Sequence, residues 1–286
     1  MNKKFALPAF CFVLILGTTL FSLNLDHTPA AAAFGGKTLI LYDAASGIIP
    51  PSGTMNFADF PPGAAPPKFE NRATLLDTTA TGNNTYAGWV STGTTIPGFP
   101  ILDRTAGFQV NFIVQVESES HANKNRAGLS VIILSDDAKG IELAFWENEI
   151  HAQNDDATGG LFKHGEATTF TTTIGLINYQ VSIINDTYTL TANSVVILKG
   201  PIRDYSNFSG FPDPYETPNF LFLGDDTTSA QASMRLAYVS VTGTESTIPP
   251  DSSSNSPTPS VRITPGSSPT PMMKDFESCS SIYHRP

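Results

Sequence analysis

The residue types best suited to chemistry cluster between Gly140 and Asp156, in "GIELAFWENEIHAQNDD", where Glu142, Trp146, Glu149, His151 and Gln153 recur among apolar residues. Arg126 and Ser130, just upstream, share the outer parity of a neighbouring strand. An aromatic ring stacks on the C–H face of a sugar, while carboxylate, amide and guanidinium groups read its hydroxyls. Arg126, Glu142, Trp146, Glu149, His151 and Gln153 are therefore expected to form a ligand-binding face for a glycan or another surface protein. The competing expectation is a solvated sheet face with Trp146 half-covered. Arg126 and Glu142 would then form a surface ion pair, an arrangement worth about 0–1 kcal/mol.

Three further patterns could carry chemistry. Asp136-Asp137, Asp155-Asp156 and Asp225-Asp226 lie in loop-like segments, and hard cations such as Ca²⁺ take clustered carboxylates and carbonyls. Asp225 and Asp226, directly after a strand, are the expected metal pair, with calcium as the candidate cofactor. Asp is also a common turn residue, and the spacing matches no calcium loop. Glu147-x-Glu149 suggests a glycoside hydrolase, which needs two carboxyl groups flanking one bond. The hairpin register below puts Glu147 in a turn, leaving only Glu149 beside Trp146, so no catalytic residue is assigned. The histidines, His121, His151 and His164 among them, show no triad or zinc spacing and are expected to be solvated singly.

The elements that must position these residues are short strands. Phe108, Val110, Phe112, Val114 and Val116 alternate with Gln109, Asn111, Ile113, Gln115 and Glu117, a period of two that puts the first set in the core. Ala127, Leu129, Val131 and Ile133 repeat the pattern. With Glu147-Asn148 as a turn using a left-handed Asn148, Trp146 opposes Glu149, Phe145 opposes Ile150, and the pairing runs on to Glu142 with Gln153. Ile141, Leu143, Phe145, Ile150 and Ala152 then share one face; Glu142, Trp146, Glu149, His151 and Gln153 share the other. With Asn185-Asp186 as a turn, Ile183 meets Tyr188 and Val181 meets Leu190. A second turn at Asn193-Ser194 leads into Val195 to Lys199. "NFLFLG" and "SMRLAYVSV" add two more strands, the facing of the last ambiguous. The predicted fold is an all-β antiparallel β-sandwich.

Residues 1–33 read as a secretory signal peptide: Lys3 and Lys4, an apolar run from Phe5 to Leu23, and Ala31-Ala32-Ala33 before Phe34. Cleavage there removes Cys11 and leaves Cys279 without an intramolecular partner, so residues 34–243 must be held by a packed core. Residues 244–286 are rich in Pro, Ser and Thr and read as a disordered tail, with no expected anchor or sorting motif. The formal charge of −10 comes without a Lys/Arg cluster, which argues against nucleic acid and anionic membrane as partners. No membrane span is expected after signal cleavage.

Five ordered blocks, "LYDAASGIIP", "LDRTAGFQVNF", "ESESHANKNRAGLSVIILSDDAKGIELAFWENEIHAQND", "GPIRDYSNF" and "TPNFLFLGDDTTSAQAS", together resemble the bacterial choice-of-anchor Y domain from about Thr38 to Val241. The resemblance implies an exported surface domain of concanavalin-like, laminin-G-like jelly-roll type and brings no catalytic residues. The expected function is thus a secreted or cell-surface, non-catalytic binding or coat module. A polysaccharide hydrolase and a purely structural envelope domain are the alternatives.

Overall fold

The computed structural model describes residues 36–63, 65–79 and 85–245. The expected signal peptide, nearly all of the tail, Cys11 and Cys279 lie outside the described residues.

Among the described residues, fifteen strands form two antiparallel sheets. The first runs in the order β13 (Val195–Pro201), β12 (Thr187–Ala192), β11 (Ile177–Ile184), β6 (Phe108–His121), β15 (Ala230–Gly243), β4 (Ala73–Asp77) and β3 (Lys68–Glu70). Strand β1 (Lys37–Asp43) also pairs with β15. The second runs β10 (His164–Thr169), β9 (Glu149–Gln153), β8 (Gly140–Phe145), β7 (Leu129–Leu134), β14 (Phe220–Asp225), β5 (Tyr86–Thr92) and β2 (Asn56–Phe60). The chain passes repeatedly from one sheet to the other, making an antiparallel β-sandwich of jelly-roll type. Among the described residues no helix is long and apolar enough to cross a membrane.

The inner faces carry the alternation read from sequence. Val110, Phe112 and Val114 of β6, and Val181 and Ile183 of β11, meet Val131 and Ile133 of β7 and Leu143 and Phe145 of β8 in one buried cluster. Phe112 stacks on Tyr179, and Phe145 presents its edge to both rings. Such edge and offset contacts suit the ring quadrupole. Burying this apolar surface is the main stabilising term for a domain with no disulfide among its described residues.

Both expected hairpins form in the expected register. Strands β11 and β12 pair Ile183 with Tyr188 and Val181 with Leu190, and Asn185 takes the left-handed conformation at the turn. Asn193 and Ser194 both have positive φ, as a tight two-residue hairpin turn requires. Strands β8 and β9 pair Phe145 with Ile150 and Leu143 with Ala152, and the Trp146 N–H donates to the Glu149 carbonyl at 2.9 Å. Asn148, however, is not left-handed. This loop is held from the side instead: its Asn148 and Glu147 carbonyls accept from the Phe170 and Thr172 N–H groups.

Candidate functional site

The outer face of the second sheet carries the predicted polar residues, but it is roofed over. Leu161, Phe162, Tyr205, Phe208 and Tyr215, from the segments after β9 and β13, pack onto Val90, Ile132, Leu134, Phe220 and Phe222 as a second apolar cluster. Glu142, His151 and Gln153 are consequently buried to 0% exposure, where an open polar face was expected. Buried polar groups must find partners or stay costly.

Glu142 and Gln153 find partners in different ways, while the His151 ring nitrogens find none. The expected Glu142–Gln153 rung is replaced by a side chain: the Tyr205 hydroxyl accepts from the Glu142 N–H at 3.1 Å and donates to the Gln153 carbonyl at 2.8 Å. Gln153 Nε2 donates to the Asn125 carbonyl. The Glu142 carboxyl accepts from Tyr215 at 2.6 Å and more weakly from Ser130 at 3.4 Å, with Arg126 Nη1 3.8 Å away. The Arg126–Glu142 pair is therefore buried on the carboxylate side, not a surface pair. The Arg126 guanidinium lies 4.3 Å over the Phe162 ring, a cation–π placement.

Asp226, the residue after β14, lies close enough for its charge to act on Glu142. Burial, then the Asp226 charge, pushes the Glu142 carboxyl up to about 8, against the opposing pull of Arg126 and Tyr215. Asp225, the last residue of β14, accepts from Thr78 at 2.6 Å and the Thr227 N–H at 3.2 Å. Burial pushes it too up to about 8. In the expected metal pair, Asp225 is thus engaged with Thr78 and Thr227, while Asp226 lies toward Glu142. The other Asp pairs cap turns: Asp137 binds Ser135 and Arg104, Asp155 binds Thr158 and the Asp204 N–H, and Asp156 accepts from the Leu161 N–H.

Trp146 is half-buried and is not an open plate. His121, at the end of β6, stacks on it with 4.2 Å between centroids and 10° between planes. Its indole N–H donates to the Arg126 carbonyl at 2.8 Å. His151 and His164 approach the same indole at 4.8 and 5.5 Å. The three histidines expected to be solvated singly therefore converge. His164 arrives through a β-bulge: β10 pairs His164 with Gln153 but Ala167 with His151, and the shift turns His164 onto the outer face. Glu149 bonds His164 at 2.6 Å. Burial pushes the His151 imidazole down to about 3.

Beside this cluster, beyond Arg126, an open cleft of about 1000 Å³ lies between the roof and strands β2, β5 and β14. Tyr86, Phe162, Phe208 and Tyr215 line it, and Phe60 and Phe211 stand at its rim, 56% and 88% exposed. Asp59, Asp213, Asp225 and Asp226 contribute to its lining, against one guanidinium, that of Arg126. Of the sequence-predicted residues only Arg126, Asp225 and Asp226 border it. Phe208, Phe211 and Tyr215 lie in a segment without periodicity, where the signal is composition: "RDYSNFSGFPDPYETPNF" is too aromatic for a solvated loop.

Of the Glu147-x-Glu149 pair, Glu147 lies in the turn and Glu149 opens strand β9, where it is engaged with His164.

No protein-family model matches the chain, and no curated protein matches it. Among solved structures, a carbohydrate esterase from Shiga toxin-encoding bacteriophage phi24B aligns over 73% of this chain and 100% of its own, at 12% identity and TM-score 0.46. The binding domain of botulinum neurotoxin DC, solved with rat synaptotagmin II, aligns over 68% of this chain and 44% of its own, at 8% identity and TM-score 0.38. The chain therefore spans under half of that domain. Alginate lyase A1-II′, of polysaccharide lyase family 7, aligns over 61% and 81% at 14% identity and TM-score 0.35. At such scores these are distant likenesses, and the sandwich is defined by its own strand pairing.

Proposed function

We propose that this protein is an exported, cell-surface binding module that holds a neutral or amine-bearing glycan in the cleft between Phe60 and Phe211. The observation that carries this reading is the pairing of exposed aromatic rings at the rim with carboxyl groups inside. Rings supply stacking surface for sugar C–H faces, and carboxyl groups accept from hydroxyl or ammonium groups. Asp59, Asp213 and Asp226 against Arg126 alone disfavour a polyuronate. The leader-like residues 1–33, the Pro/Ser/Thr tail and the resemblance to choice-of-anchor Y domains support a place outside the cell.

A glycan array followed by calorimetry on the full chain tests the proposal. Neutral or amino-sugar oligomers should bind, polyuronates should not, and Phe211→Ala should weaken binding about tenfold, the loss of one stacking ring. Because Phe211 is 88% exposed, that variant should fold normally. Absence of any neutral or amino-sugar binding, or unchanged affinity in Phe211→Ala, would overturn the proposal.

A further inference from the structure

We propose that Glu149, His151 and His164 form a binding site for a borderline divalent transition metal of the Zn²⁺ class. The inference is independent of the glycan cleft. One ligand atom from each residue lies within 4.8 Å of the others, and carboxylate with two imidazoles is a donor set that Zn²⁺ accepts.

Two observations point to a cation beyond the clustering itself. First, His151 is fully buried, and neither of its ring nitrogens has a hydrogen-bond partner. A buried imidazole without a partner is costly, and its Nδ1 is directed toward Glu149 Oε1, 4.0 Å away. Second, His164 Nδ1 lies 3.0 Å from the Gly165 carbonyl, which can only accept, so Nδ1 carries the proton. The opposite nitrogen, Nε2, lies 2.6 Å from Glu149 Oε1, so the ring is oriented with Nε2 toward the carboxylate. A backbone carbonyl on the far ring nitrogen is also the outer-shell contact that orients metal-binding histidines.

An ion about 2.0–2.1 Å from each donor needs donor atoms about 3.3 Å apart. The Glu149–His164 contact would lengthen from 2.6 Å and the Glu149–His151 contact shorten from 4.0 Å, less than an ångström each. The two imidazoles, now stacked at 4.0 Å and 14°, would splay so that both lone pairs reach the ion. Glu149 and His164 have side chains 28% and 25% exposed, which leaves the remaining position open to water.

The test is calorimetric titration of tag-free, chelator-treated full chain with Zn²⁺ alone. The wild type should bind one equivalent saturably. His164→Ala and Glu149→Gln, both partly exposed and tolerant sites, should each lose about 100-fold or more in affinity, since even outer-shell changes cost 10–100-fold. His121→Ala, which touches Trp146 but supplies no ligand, should bind as the wild type does. No saturable one-equivalent binding in the wild type, or undiminished binding in His164→Ala, would overturn the proposal.

Discussion

The Tyr215 hydroxyl donates to the buried Glu142 carboxyl at 2.6 Å, joining residues 73 positions apart and fastening the aromatic roof to the sheet beneath it. Replacing Tyr215 by Phe keeps the ring contacts with Phe162, Tyr205 and Phe208 but removes this donor. The expected cost is about 1–3 kcal/mol, the penalty for an under-satisfied buried polar group. Urea denaturation of the two proteins measures it directly.

The raised carboxyls make stability fall as pH rises toward about 8. Glu142 and Asp225 have ordinary values of 4.5 and 3.8 and are each held at about 8 in the fold. The folded protein therefore keeps protons that the unfolded chain releases. Their contribution is fully present below about pH 4 and is lost as pH rises through about 8. Below about pH 6.5 the buried His151, held down to about 3, acts in the opposite direction. The clear window is pH 6.5–8, where the melting temperature should fall, and Glu142→Gln should make that fall shallower. A melting temperature that rises across this window would contradict the assignment.

Adjacent residues on β11 should respond very differently to truncation. Ile183 is fully buried and faces Tyr188, whereas Ile184 is 45% exposed. Ile183→Ala should cost about 2–5 kcal/mol, as core truncations do. Ile184→Ala should stay within about 0.5 kcal/mol, as surface changes do. Equal losses in chemical denaturation would mean the register is wrong by one residue.

Arg203, 2% exposed, holds the strand ends beneath the roof: Nη2 donates to Glu166 at 2.6 Å and Asn154 at 3.1 Å, and Nη1 to the Pro201 carbonyl. Glu166 also accepts from Tyr188 at 2.8 Å. Arg203→Ala removes the guanidinium donor while leaving Tyr188 on the carboxylate and should cost about 1–3 kcal/mol by equilibrium unfolding, the scale of hydrogen bonds to charged groups. Limited proteolysis should then cut more readily in the segment around Phe211.

Strand faces and hairpin registers were legible in the residue pattern, because a period of two and a turn of known length leave one pairing that segregates apolar from polar side chains. Ile183 opposite Tyr188 and Phe145 opposite Ile150 were legible on that basis. The facing of the last strand was not: β15 shifts register between Ser233 and Met234 and again between Leu236 and Tyr238, so Leu236 and Val239 both point inward despite opposite parity. A bulge of the same kind hid His164. The fate of the polar outer face depends on long-range packing. Glu142, His151 and Gln153 sit where the sequence placed them, but distant aromatic segments cover them and turn a solvated surface into a buried network. Local periodicity reports which way a side chain points; it does not report what a segment many residues away lays on top of it.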